Sequence, residues 1–295
     1  MKKKTIIPTL ILASVLPASA ALMVDWGGDY VTSTQATSRT QTGDNAQMND
    51  GGQSDNVESS FAYDTGTALS PTSGYTAPSG KSGTFYGGNA IARRNSGSSF
   101  TATTSLEVIQ NGSADRIRFD ASNTSVNAST AGAVLVFSKA DYLNGFSSQT
   151  VSLDQSSNFS LDSLSVNITS LAEYETARFA VVTAGGVYFN STALVEGSNT
   201  RSGADLATDN WSLSTLSSGT STGMGGGNAT GPVLGSTLTD IIGVGLFAFD
   251  DNAPSGTSYN LEIDSFSATV IPEPGTLALV GLALGALLLF RRRNA

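Results

Sequence analysis

Residues 178–190 read Arg178-Phe179-Ala180-Val181-Val182-Thr183-Ala184-Gly185-Gly186-Val187-Tyr188-Phe189-Asn190. Two runs of β-branched and aromatic residues flank Ala184-Gly185-Gly186, and a Gly-Gly pair supplies the positive φ angles that a primed hairpin turn needs. The stretch predicts two antiparallel strands, 177–183 and 187–190. Outward from this hairpin the same signature recurs at 100–110, 116–120, 133–137, 161–169, 211–216, 241–249 and 259–271, each run apolar or alternating and bounded by Gly, Asn, Ser or Asp. Arg116-Ile117-Arg118-Phe119-Asp120 alternates strictly, so that strand buries one face only.

Helical signals are few. Ser138-Lys139-Ala140-Asp141 has the capping form S-x-x-D ahead of Tyr142-Leu143, with Gly145 to stop it after little more than a turn, and Ser170-Leu171-Ala172-Glu173 offers a second start. Residues 22–83 are dense in Thr, Ser, Gln, Asn, Asp and Gly, and predict one strand around Val24-Asp25-Trp26 followed by long surface loops. No repeat of 20–50 residues and no sustained heptad is present, so a single domain is expected. The fold class expected is all-β, a two-sheet antiparallel β-sandwich of the jelly-roll type with long polar loops. A shorter immunoglobulin sandwich is the alternative.

Composition narrows the chemistry. The 295 residues contain no Cys and no His, which removes disulfides, thiol nucleophiles, imidazole bases and Ser-His-Asp arrangements together. Most enzyme mechanisms go with them, and the chain is expected not to be an enzyme. Six of the fifteen cations lie at the ends, as Lys2, Lys3, Lys4, Arg291, Arg292 and Arg293, so residues 21–271 carry nine cations against 23 acids, a net charge of −14. Such a field repels phosphate backbones, and no nucleic-acid partner is expected.

The two ends read as processing signals. Lys2-Lys3-Lys4, the apolar run 6–16 and the small residues Ala18 and Ala20 form a secretory signal helix with an A-x-A site cut before Ala21 by signal peptidase. At the other end stand Pro272-Glu273-Pro274, the apolar stretch 275–290, and Arg291-Arg292-Arg293. As a transmembrane helix the stretch 275–290 rises about 24 Å, short of a hydrocarbon core of about 30 Å, so it spans only if the arginines snorkel or the bilayer thins. The arginines place the C-terminus in the cytoplasm and the large domain outside. The two prolines forbid a helix upstream and leave an extended segment accessible to a protease.

This order of proline-flanked glutamate, apolar helix and arginine cluster resembles the PEP-CTERM sorting signal. The resemblance implies a membrane transpeptidase-like protease, exosortase, as a partner. The expected organisation is a signal peptide at 1–20, an extracellular β-sandwich at 21–271, and a sorting signal at 272–295 with motif 272–274, transmembrane helix 275–290 and basic tail 291–295. The hairpin 178–189 and the last strand Leu261-Glu262-Ile263-Asp264-Ser265-Phe266, running into the sorting motif, also resemble exported PEP-CTERM proteins with a carbohydrate-binding-module-like jelly roll. What this implies is a protein exported across the inner membrane, held transiently by its C-terminal helix, and destined for the cell envelope or extracellular matrix. Its role there would be structural or adhesive, with exopolysaccharide or another glycan as a partner.

Three sets of residues are candidates for chemistry. Glu262-Ile263-Asp264 is similar to the E-x-D-x-x-E strand of laminarinase-like hydrolases, but position 267 is serine, which cannot serve as the second carboxyl group. A carboxylate-only polysaccharide hydrolase is the alternative function, and the strand otherwise reads as Leu261 and Ile263 inward with the two acids solvated. Asp25, Asp29, Asp250 and Asp251, with Asn252, are candidate oxygen ligands for calcium, the cofactor class that suits a chain without His or Cys. Trp211, Tyr188, Tyr86 and Tyr75 are candidate sugar platforms beside Gly, Asn or Thr, against the alternative of core packing. Gly225-Gly226-Gly227 is a loop and not a phosphate cradle, because no helix signal or lysine follows.

Overall fold

The computed structural model describes residues 19–27, 35–42, 47–49, 54–58, 81–82, 85–93, 101–111, 114–123, 129–154, 158–213, 230–253 and 257–272. In chain order the strands are β1 (Ala21–Gly27), β2 (Gln35–Thr42), β3 (Gln47–Asn49), β4 (Ser54–Glu58), β5 (Phe85–Arg93) and β6 (Thr101–Asn111). Next come β7 (Ala114–Asn123), β8 (Ser129–Ser138), β9 (Val151–Ser152), β10 (Phe159–Ala172), β11 (Thr176–Thr183) and β12 (Gly186–Asn190). The rest are β13 (Gly197–Ser202), β14 (Asn210–Leu213), β15 (Thr230–Leu234), β16 (Gly243–Ala253) and β17 (Ser258–Pro272), with one α-helix among the described residues, α1 (Gly203–Thr208).

These strands form two sheets. The first runs β13-β10-β17-β7-β6-β2, with β1 beside β17 and β9 beside β10; the second runs β15-β14-β12-β11-β16-β8-β5-β4-β3. Pairing is antiparallel except between β9 and β10. The strand expectations at 116–120, 133–137, 161–169, 177–183, 187–190 and 259–271 fall on strands of these two sheets, as do 101–110 and 211–213; the expected run 241–249 enters its strand only at Gly243, and positions 100 and 214–216 lie outside the described residues.

The hairpin at 178–190 forms, with Thr183 opposite Gly186 and Val182 opposite Val187. Its two central residues are therefore Ala184 and Gly185, and the positive φ sits at Gly186 (128°) rather than across a Gly-Gly turn. Gly185 N–H donates to Thr183 Oγ1 at 3.0 Å, which closes the turn locally.

Two expectations are corrected, and the short turn expected after Ser138 forms as a 3-10 turn without the expected cap. Residues 35–58 are not only loop, because β2, β3 and β4 lie there. Ser170-Leu171-Ala172-Glu173 starts no helix: Leu171 pairs with Leu261 and Ala172 with Asn260, and the chain turns at Glu173 with φ 66°. Pairing along β17 outweighs the local cap signal. Ser138 precedes a single 3-10 turn, Lys139–Asp141, and its hydroxyl donates to Asp141 Oδ2 at 2.9 Å instead of capping a backbone N–H. The helix that does form carries the same sequence logic elsewhere, since Ser202 Oγ accepts from the Asp205 N–H at the start of α1.

The core lies between the sheets. Phe137 of β8 stacks on Phe266 of β17 at 5.1 Å and 21°, and Phe179 of β11 meets the same ring edge-on at 6.5 Å. All three are fully buried, so one aromatic cluster joins both sheets. The central strands of the second sheet are buried on both faces. Ala133 to Phe137 have no exposed surface, and on the face away from the core Phe189 stacks on Phe247 at 5.2 Å. Arg178 stands over Phe189 and Phe249 at 5.9 and 5.8 Å, and it donates to the carbonyls of Asn190 and Ser191. That burial lowers its pKa from the ordinary arginine value.

One side of the sandwich is closed by charge. Arg201 of β13 holds Asp209, just after α1, through Nη2 contacts of 2.6 Å to both carboxylate oxygens. Asn190 of β12 donates to the same carboxylate at 2.7 Å, so an edge strand of the first sheet is tied to the second. The hydrogen bond to Asp209 is the main cause that raises the pKa of Arg201.

Candidate functional site

The last strand is an interior strand of its sheet. β10 pairs with β17 along its length, from Ala172 opposite Asn260 to Phe159 opposite Pro272. On its other side β17 meets β7 over 258–263 and then β1, where Gly27 lies opposite Ser265 and Ala21 opposite Val270. Beyond Val270 the pairing is one-sided among the described residues: Ile271 and Pro272 are held there by Ser160 and Phe159. Pro272 is half-buried, so the first proline of the expected sorting motif belongs to the sheet.

Around this end the fold is dense. Phe159 meets Phe146 edge-on at 5.5 Å, and Ser160, which has no exposed surface, donates from Oγ to the Asp154 carbonyl at 2.8 Å. Asn144 donates to the Leu22 carbonyl at 2.6 Å and the Leu143 N–H to that of Met23 at 2.8 Å, which fixes the start of β1. Because β1 and β17 are antiparallel, the chain enters β1 and leaves β17 at the same end of the sandwich.

The remaining expected processing residues fall mostly outside the described region. Ala20 is exposed and Ala21 half-buried at the first position of β1, whereas Ala18, Glu273, Pro274, the stretch 275–290 and Arg291, Arg292 and Arg293 lie outside the described residues, as does the signal helix. Among the described residues no helix is long and apolar enough to cross a membrane.

The carboxylates of β17 sit in an ion-pair network on the outer face of the first sheet. Glu262 receives Arg116 Nη1 at 3.1 Å and lies 3.5 Å from Arg118 Nε; Asp264 lies 3.5 Å from Arg116 Nε and accepts from Asn167 at 3.3 Å. Arg118 also pairs with Asp120 at 2.7 Å, and Asn260 donates to Asp120 at 3.0 Å. Leu261 and Ile263 point into the core with no exposed surface. Both acids are thus engaged by arginines of β7, and Asn167 of β10 extends the network to a third strand, which is the arrangement of a cross-strand ladder. The alternating arginines at 116 and 118 carried the signal for these partners, but only the register of β7 against β17 reveals it.

The other candidate sites are dispersed. Trp211 is corrected as a sugar platform: it is fully buried, and its Nε1 donates to the Leu206 carbonyl at 2.9 Å beneath α1. Tyr188 is half-buried against the core, Tyr86 lies on β5 with its ring outside the described side chains, and Tyr75 is outside the described residues. The four aspartates do not converge either. Asp25 sits opposite Ser267 and pairs with Lys81 at 2.7 Å, while Asp250 accepts from Tyr259 at 2.9 Å, about 26 Å further along β17. Asp29 and the side chain of Asp251 lie outside the described residues, and no group of three acids able to hold a metal occurs among those described. Asp25 and Asp250 thus do not meet at one site.

Comparison with known families adds one finding. Residues 270–293 match the model of the PEP-CTERM protein-sorting motif. The match begins at Val270, inside β17, and it implies an exported protein processed by exosortase at the cell envelope. No curated protein matches the chain.

Proposed function

We propose that the chain is an exported jelly-roll-like protein, freed from both membrane segments by signal peptidase and exosortase, that serves a structural or adhesive role in the cell envelope or extracellular matrix. It acts without catalysis, and its partner there is exopolysaccharide or another glycan. The observation that carries the export reading is the sorting motif at 270–293, joined to the last strand of the domain.

The antiparallel pairing of Ala21 with Val270 supports it further. Both terminal segments leave one end of the sandwich, so a precursor can hold both in one bilayer with its domain on one side. In that arrangement Lys2 to Lys4 and Arg291 to Arg293 share the cytoplasmic side, as the distribution of basic residues favours. Against catalysis stands the engagement of Glu262 by Arg116 and Arg118, which gives that carboxylate a fixed cationic neighbourhood and no second carboxyl group at position 267.

Replacing Glu273 with Ala in the native host tests the sorting half of the reading. Full-length protein retained in the inner membrane is expected. Release of the variant at the wild-type rate would overturn it.

A further inference from the structure

The processing motif is continuous with a buried strand. Val270 has no exposed surface and is paired on both sides, by Leu161 and Ala21. Ile271 and Pro272 follow with β10 as their partner, through Ser160 and Phe159. Only Glu273 and Pro274 then separate this ladder from the apolar stretch at 275–290. Two residues reach about 7 Å when extended, so a membrane protease meets the motif hard against the folded domain.

An enzyme that takes an extended peptide uses its backbone groups and the space on its flanks. At Ile271 and Pro272 one flank is occupied by β10. Their one-sided pairing also makes them the part of the C-terminal half of β17 that opens at least cost, because strand ends with few partners open far below the global unfolding free energy. Val270 marks where that cheap opening stops.

We infer that Ile271 and Pro272 form a detachable end of β17, and that exosortase acts on the state in which they have left Ser160 and Phe159. The fold then sets the rate of processing through the pairing of its last two residues. This inference rests on the sorting reading above, and it adds β10 as a determinant that the motif itself does not contain.

The absence of cysteine permits a direct test. Opposed residues of an antiparallel pair have Cα atoms about 4.5–5.5 Å apart, within disulfide range, so Ser160→Cys with Ile271→Cys staples the end of β17 to β10. Processing of the full chain is followed in its host by pulse-chase, with and without reductant, beside the wild type under the same conditions. The oxidised staple is expected to be cut about ten-fold more slowly than the reduced form, and the reduced form at the wild-type rate. A second variant with Gly-Ser-Gly-Ser inserted between Ile271 and Pro272 frees the motif without a cross-link, and its precursor is expected to disappear faster than the wild type.

Thermal melting of the reduced stapled protein checks that its fold is intact. Cutting of the oxidised staple at the reduced rate, or a spacer variant no faster than the wild type, would overturn the inference while leaving the sorting reading in place. A wild type that is never cut would overturn both.

Discussion

Ala21 lies directly across the antiparallel ladder from Val270. The first residue expected after signal cleavage and the first residue of the sorting-motif match are thus neighbours in one sheet. Of these two, Val270 is fully buried and Ala21 half-buried, so the core of the sheet reaches up to the two expected processing segments. Two signals read separately from the sequence therefore adjoin one end of the sandwich, where β1 begins and β17 ends.

The aromatic cluster that joins the sheets should dominate stability. Phe266 stacks on Phe137 and meets Phe179, so Phe266→Ala removes a ring from contact with both strands of the opposite sheet. A loss of about 3–5 kcal/mol is expected in urea unfolding of the processed protein. A loss below about 1 kcal/mol would mean that the sheets do not meet through this ring.

Alkaline pH should destabilise the fold through two tyrosines. Burial raises the pKa of Tyr174, helped by the charges of Asp120 and Asp250; burial also raises that of Tyr259, helped by its hydrogen bond to Asp250. A tyrosine in the unfolded chain gives up its proton near pH 10, while these two keep theirs in the folded state. Stability is therefore full below about pH 10 and falls as the pH rises above it, by about 1.4 kcal/mol per pH unit for each group. The Tyr174 hydroxyl is buried with no hydrogen-bond partner among the described residues, so Tyr174→Phe should leave neutral stability unchanged or raised and make the alkaline decline shallower. Denaturant midpoints from pH 8 to 11.5 would show it, and an unchanged alkaline slope would contradict the assignment.

Glu262→Gln separates a structural carboxylate from a catalytic one. With Arg116 and Arg118 as its partners, its neutralisation should lower stability slightly and alter no chemistry. Incubation of wild type and variant with β-glucans, sulfated algal polysaccharides and the host exopolysaccharide, reading reducing ends, should give no sugar release from either. Release by the wild type that disappears in the variant would establish the hydrolase instead.

What was legible in the sequence follows from burial. Runs such as 133–137 and 177–183 lie in the middle of the second sheet, where apolar residues must be continuous or alternating, and they announced themselves. β2, Gln35–Thr42, and β13, Gly197–Ser202, are edge strands with almost no apolar residue, and β13 is largely exposed, so periodicity carried no trace of them. β5 was hidden by Gly87 and Gly88, which interrupt its pattern although it pairs with β8 along its length. The sorting motif was legible because it is local and ordered along the chain. The candidate calcium and sugar sites depended on long-range register, and Asp25 and Asp250 could look related in sequence reasoning while lying far apart along β17.

The central claim is that the working protein is the sandwich alone, released from both membrane segments. Intact-mass measurement of the protein recovered from the native host's extracellular fraction tests it most directly. The predicted result is a chain that begins at Ala21 and lacks everything from Gly275 onward. A mass that includes Met1 or extends to Ala295 would contradict the account.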